Sequence, residues 1–220
     1  MYHHSRFIQL NPKISSNISY KDKLKVMSFN VRLFDLYNWN KNEEIKSKII
    51  ALIKDQKPDI VCLQEYFYDN NKKFITRENI LEELSFKYYH ESFSSESNKN
   101  SMFGLATFSK YPIINKEKKE FKDEKSNHCM WSDIIFKKDT LRVFNAHLGS
   151  IRFNYSDYKV IGGKGYPIWS HQKIPEKNII NKLKIGFQNR SRQLKQLIPV
   201  IEASPFKKII CCDLNDTPIS

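Results

Sequence analysis

The sequence predicts an α+β fold in which a mixed β-sheet system carries helices on its outside. Three observations predict it. Helix-like and strand-like stretches separate one another early in the chain, whereas residues 103–146 are mostly strand-like. No G-x-G-x-x-G or P-loop occurs, so a dinucleotide site or Walker NTPase is unsupported and a Rossmann-type winding is not expected. The chain has 220 residues, 40% of them hydrophobic, enough for one domain, or one domain with a tail, around a real core.

The elements follow in order. Residues 1–22 are polar, rich in Ser and Asn, and predict an N-terminal tail; the domain proper is expected over 23–220. Lys23–Val31 reads as a strand, with apolar residues alternating and then running on. Asn38, Asn40 and Asn42 offer capping chemistry before a helix whose apolar positions are Ile45, Ile49, Leu52 and Ile53. Pro58 ends that helix. The run from Asp59 to Leu63 is the continuous apolar stretch of a strand covered on both faces. Ile80, Leu81 and Leu84 predict a second helix over Glu78–Tyr88. Phe103–Phe108, Ile113–Phe121, Met130–Phe136 and Leu141–Ala146 predict successive strands, with Asp139 in a hairpin turn between the last two. Residues 149–175 form a long connection with Gly162, Gly163, Gly165 and Pro167, of the kind that carries function or moves. A helix is expected from Pro175 to Ala203, with Leu194, Leu197, Ile198 and Ile201 facing inward. Lys207–Cys212 is the last predicted strand.

Composition removes several classes. No apolar run reaches about 18 residues, so no transmembrane helix is expected. The N-terminus lacks the apolar stretch of a secretory signal. Cys62, Cys129, Cys211 and Cys212 contain no C-x-x-C, which argues against zinc and for buried free thiols in a reducing compartment. A cytoplasmic location is therefore expected, or a membrane-associated one if an upstream anchor has been lost. The formal charge is +13, from 37 basic and 24 acidic residues. That excess either draws the chain to phosphates or simply solvates its surface, and charge alone does not choose.

Polar residues punctuate the apolar runs where strands should end. Asn30 interrupts Phe29–Val31, Gln64 and Glu65 follow DIVCL, His147 follows LRVFNA, and Asp213, Asn215 and Asp216 follow KKIICC. An unpaired buried polar group costs about 1–3 kcal/mol, so such placements need a reason. Glu65 is a hard anionic oxygen suited to Mg²⁺, and Asn30 could add an amide oxygen to the same ion. Asp213 could orient or deprotonate a water, Asn215 could hold Asp213 or that water, and His147 could donate to a phosphoryl oxygen. Each has a plainer reading alone: Glu65 as a surface carboxylate, Asp213–Asp216 as an Asx turn, His147 as a satisfied core histidine, Arg152 as a solvated charge.

Together, the stretches Met27–Arg32 (MSFNVR), Asp59–Glu65 (DIVCLQE), Asn145–Leu148 (NAHL) and Cys212–Pro218 (CDLNDTP) resemble the ordered motifs of the endonuclease/exonuclease/phosphatase superfamily. The stretch Phe103–Ile113 (FGLATFSKYPI) resembles that family's supporting strand and turn. The resemblance implies a DNase I-like four-layer α/β sandwich, with two central mixed sheets flanked by helices. It implies a hydrolase of phosphate esters that uses Mg²⁺, with Mn²⁺ as a substitute. By matching position, Glu65 and Asn30 would lie at the metal, His147 would contact the phosphate, Asp213 would activate water and Asn215 would support it. Arg152 is a further candidate for substrate binding. Three features depart from the pattern. Cys212 stands for a glycine and Leu214 for a phenylalanine; Ala146 stands for a threonine; and no Ser-Asp-His motif follows Asn215. The last departure leads to the expectation of a C-terminally incomplete domain lacking its last strands.

The expected substrate is a phosphodiester or phosphomonoester in nucleic acid, a lipid headgroup or a small molecule, with peripheral membrane contact as one option. Tyr155, Tyr158, Tyr166 and Trp169 in the 149–175 connection suit base stacking or a membrane surface equally. The alternative is a catalytically impaired fragment, or a non-catalytic module that binds phosphate, nucleic acid or membrane.

Overall fold

The computed structural model describes residues 23–37, 44–71, 77–94, 101–122, 126–151 and 176–216. The predicted tail, the 38–42 loop and most of the 149–175 connection, Arg152 included, lie outside the described residues. In chain order the strands are β1 (Val26–Asn30), β2 (Ile60–Asp69), β3 (Tyr88–Phe93), β4 (Ser101–Ser109), β5 (Ile113–Glu120), β6 (His128–Phe136), β7 (Asp139–His147) and β8 (Lys207–Asp213). The helices are α1 (Ile45–Gln56), α2 (Arg77–Glu83) and α3 (Glu176–Glu202).

The strands form two four-stranded sheets, in the orders β1-β2-β4-β3 and β5-β6-β7-β8. Each sheet is antiparallel except for one parallel pair at an edge, β1 with β2 and β7 with β8. A parallel pair needs a long crossover, and here the crossovers are α1 and α3. Both sheets are therefore mixed, and helices cover their outer sides.

Alternation along β2 explains the layering. Val61 and Leu63 point to one face, where they pack with Ile50 and Ile53 of α1 and Ile80 of α2. Ile60 and Cys62 point to the other, against Ile134, Val143 and Cys211 of the second sheet. On the far side of that sheet, Phe144 and Ala146 pack with Leu197 of α3. Helix, sheet, sheet, helix is thus a four-layer sandwich, and β2 reads as an unbroken apolar run because both its faces are covered.

Several expectations are corrected. The second helix stops at Glu83, because Ser85 turns left-handed with φ 57°. Tyr88–Phe93, expected to begin at a helix end, is strand β3, paired antiparallel to β4. β2 does not stop at Leu63. It slips by one residue between Leu63 and Tyr66 and rejoins the ladder as far as Asp69. Asp139 belongs to β7, opposite Phe136, and Lys137–Lys138 make the turn. Leu52 and Ile198 are exposed (42% and 47%); Ile50 and Ile53, and Leu197 with Leu194 and Ile201, form the inner faces instead. All four cysteines are free, and Cys62, Cys129 and Cys211 are buried. No helix among the described residues is long and apolar enough to cross a membrane.

Candidate active site

Four strands deliver the predicted polar residues to one place. Asn30 is the last residue of β1, and β1 lies at the edge of its sheet nearest β8. In the parallel β7–β8 pair, His147 lies opposite Asp213, so both strands end side by side. Asn215 follows in the left-handed region with φ 50°, which asparagine tolerates better than most residues. That turn carries its amide back to His147.

Glu65 is not at a strand end, as its position after DIVCL predicts, but inside β2 at the bulge. Gln64 and Glu65 together face the single residue Leu105, and Glu65 has φ 49°. A bulge breaks the alternation of side chains and re-aims one of them, often beside an active site. Its backbone is held from the opposite sheet: the buried Asn145 amide donates to the carbonyls of Leu63 (3.2 Å) and Ala106 (2.9 Å). Gln64 in turn donates to Asn145 Oδ1 at 2.7 Å. Sequence reasoning quoted both residues without giving them this task. The available signal was an amide side chain inside each of two apolar runs.

Asn30 Nδ2 donates to Glu65 Oε1 (3.0 Å) and to Asp213 Oδ2 (2.7 Å). The two carboxylates, one from each sheet, therefore converge on a single amide. Asn30 Oδ1 accepts from the backbone N–H of Arg32 at 2.9 Å. The Asn30 amide thus stands between the two carboxylates with its N–H groups toward them and its oxygen toward its own turn. An oxygen facing two carboxylates would repel both, whereas the N–H groups attract them.

His147 Nε2 lies 3.7 Å from Glu65 Oε1 and 3.7 Å from Asp213 Oδ2. It accepts from Asn215 Nδ2 at 2.9 Å, which puts the proton of a neutral ring on Nδ1. Asn215 Nδ2 also donates to the Leu148 carbonyl (2.7 Å), and its backbone N–H donates to Asp213 Oδ1 (2.9 Å). The side chains of His147, Asp213 and Glu65 keep 14%, 25% and 33% of their surface, so solvent reaches all three. A cleft of about 210 Å³ opens beside them, lined by Leu33, Glu65, Phe103, Asn127, His128 and His147 among others. His128 is neutral near pH 7, because burial holds it down to about 4.

The structure thus brings together Asn30, Glu65, His147, Asp213 and Asn215. Among the described residues no group of three or more His, Cys, Asp or Glu side chains is placed to hold a metal. Two converging carboxylates nevertheless fit a hard divalent cation, which commonly takes one or two carboxylates and fills its shell with water and substrate oxygens. Of the departures in sequence, Cys212 packs against the Phe144–Leu197 cluster under α3. Its thiol is pushed up to about 12, chiefly by burial.

Comparison with known proteins identifies the family and the fold. Residues 27–218 match the family model described as the Endonuclease/Exonuclease/phosphatase family. No curated protein matches the sequence. Among solved structures, an endonuclease/exonuclease/phosphatase from Beutenbergia cavernae superposes with a TM-score of 0.58 at 12% identity, covering 87% of this chain and 47% of that one. The human Nocturnin catalytic domain with bound sulfate gives 0.56 at 18% identity, over 89% of this chain and 65% of that one. Sphingomyelinase C from Streptomyces griseocarneus gives 0.56 at 18% identity, over 88% and 64%. At these identities the likeness shows the fold, and the chain spans between about half and two thirds of each of these structures.

Proposed function

Because the chain belongs to the endonuclease/exonuclease/phosphatase family, we propose that it is a divalent-metal-dependent phosphoesterase that hydrolyses a phosphodiester or phosphomonoester by in-line attack of water. One observation carries the reading: a single amide, Asn30 Nδ2, holds the Glu65 and Asp213 carboxylates together with His147 Nε2 3.7 Å from each. Glu65, with Asp213 beside it, would hold Mg²⁺ or Mn²⁺. When bound, the ion supplies positive charge that offsets the negative charge building on the phosphoryl oxygens.

The remaining work falls to the chain itself. Asn215 N–H holds Asp213 Oδ1, so Oδ2 is the oxygen that faces the centre and can take a proton from attacking water. Asn30 N–H keeps the two carboxylates in place. His147, held by Asn215 at Nε2, would contact a phosphoryl oxygen of the substrate as negative charge builds there. The apolar and amide walls of the cleft supply room for the esterified group.

Turnover of bis-p-nitrophenyl phosphate with Mg²⁺ tests the reading. Activity is expected in Mg²⁺ or Mn²⁺, lost on adding EDTA and lost in Glu65→Gln. His147→Ala is expected to lower kcat by about 10²–10³-fold. A folded chain that shows no metal-dependent turnover would favour a second reading, a non-catalytic phosphate-binding module. That reading predicts metal-independent binding unaffected by Glu65→Ala. Nucleic acid, a lipid headgroup and a small phosphoester are all substrates compatible with the site; a linear fall of log affinity for oligonucleotides with log salt would mark the first.

A further inference from the structure

The helix α3 packs on the side of the second sheet away from the catalytic cleft, yet it reaches the ends of the two strands that carry His147 and Asp213. Arg190, only 3% exposed, donates from Nε to Asp216 Oδ2 at 3.0 Å, and its Nη2 lies 2.9 Å from the same oxygen. Its Nη1 reaches the Gly149 carbonyl at 3.4 Å. One helical turn on, the buried Gln193 accepts the Gly149 N–H at 2.9 Å. Gly186 permits the approach: a Cβ there would lie 2.7 Å from Ile151 Cγ1.

We propose that Arg190 is a positioning residue for the proposed phosphoester reaction, tying the segments after β7 and β8 together so that Asn215 stays aimed at His147. Gly149 is two residues beyond His147, and Asp216 immediately follows Asn215. Both segments leave parallel neighbouring strands, where nothing in the ladder fixes their later course. Asn215 sits at φ 50°, so its amide meets His147 Nε2 and the Leu148 carbonyl only while that turn is kept. The guanidinium holds the turn from its far side by reaching both segments at once, Nε donating to Asp216 Oδ2 and Nη1 to the Gly149 carbonyl, a spread of donors that the single ammonium of lysine cannot copy. Arg190 touches neither Glu65 nor Asp213, so its effect on chemistry passes through Asp216 and Asn215.

The test is ¹⁵N NMR of the His147 ring in the 220-residue chain at fixed pH, with Arg190→Met, Arg190→Lys and Asp216→Asn. The parent is expected to show one Nδ1–H tautomer, because Asn215 occupies Nε2. Arg190→Met is expected to show averaged tautomer signals while circular dichroism stays native, with Arg190→Lys in between. Asp216→Asn gives the same reading should Arg190→Met fail to fold. In the phosphodiester assay, Arg190→Met is expected to lower kcat about tenfold or more, as small misplacements do. KM is expected to stay within about twofold, since no substrate contact is removed. The double variant Arg190→Met/Asp216→Asn is expected to be no worse than the worse single variant. A folded Arg190→Met or Asp216→Asn chain with an unchanged His147 tautomer would overturn the proposal, as would fully additive losses in the double variant. The NMR reading needs no substrate, so it stands apart from any failure of the phosphoesterase reading itself.

Discussion

Asn30 is the residue on which the site's geometry turns, because its two N–H groups join carboxylates from different sheets. Two carboxylates brought together repel, and a donor between them offsets part of that cost until a cation is bound. Asn30→Ala is accordingly expected to weaken metal binding or activity by about 10–100-fold, the usual effect of removing a group that orients ligands. Calorimetric Mn²⁺ titration checks it, and unchanged affinity would remove Asn30 from the account. The residue's place at the centre was legible in the sequence, since an amide at the end of an apolar strand calls for a partner. Its direction was not: Asn30 Oδ1 is claimed by the Arg32 N–H, a contact set by the left-handed turn of Arg32 with φ 47°, and no residue type announces that turn.

At the scale of elements, β2 and the contacts between sheets matter most. The bulge that aims Glu65 leaves the carbonyls of Leu63 and Ala106 to the Asn145 amide. Asn145→Ala is expected to destabilise the fold by about 1–3 kcal/mol, the cost of buried groups left unpaired. It should also lower activity, because Glu65 loses its fixed aim. Denaturant midpoints check the first effect, and a change under about 0.5 kcal/mol, the scale of an ordinary surface substitution, would contradict it. The sheets also meet through two buried histidines. His90 Nδ1 lies 3.0 Å from Ser132 Oγ, and His128 Nε2 donates to the Ser92 carbonyl at 3.0 Å. Burial, aided by positive neighbours, holds both rings down to about 4, against 6.5 for a free histidine. Between those values the unfolded chain binds more protons than the folded one, so stability is full above pH 6.5 and falls as pH drops toward 4. Urea midpoints measured from pH 7 to 4.5 should show this fall, and His90→Asn should flatten it; an equal slope in both proteins would contradict the assignment. These elements were only partly legible. Alternating or continuous apolar runs marked β1, the first part of β2, β4, β5, β6, β7 and β8, but the expected second helix ran as far as Tyr88, where β3 begins, and pairing with β4 decides for strand over Tyr88–Phe93. The slip after Leu63 was hidden because Gln64 and Glu65 look like the end of a strand.

Across the whole molecule, the two sheets stack so that the edge strands β1 and β8 approach each other, and the strand ends carrying Asn30 and Asp213 meet there. The four-layer arrangement was legible through the resemblance of the ordered motifs to a known family, and polar groups interrupting or following apolar runs marked the candidate site residues. Asn145, Gln64 and Arg190 were not, since their tasks exist only once sheets and helix are packed. The charge of +13 contributes nothing to that geometry, and it acts, if at all, on the approach of an anionic substrate. In the proposed enzyme, Glu65 and Asp213 meet at one divalent-cation centre. Titration of the ¹⁵N-labelled chain with Mn²⁺ tests it most directly, because the paramagnetic ion broadens only nearby signals. The His147 and Asn215 side-chain resonances are expected to broaden first in the parent chain and not at all in Glu65→Gln. Broadening at those residues that survives Glu65→Gln, or broadening that begins elsewhere on the protein, would contradict it.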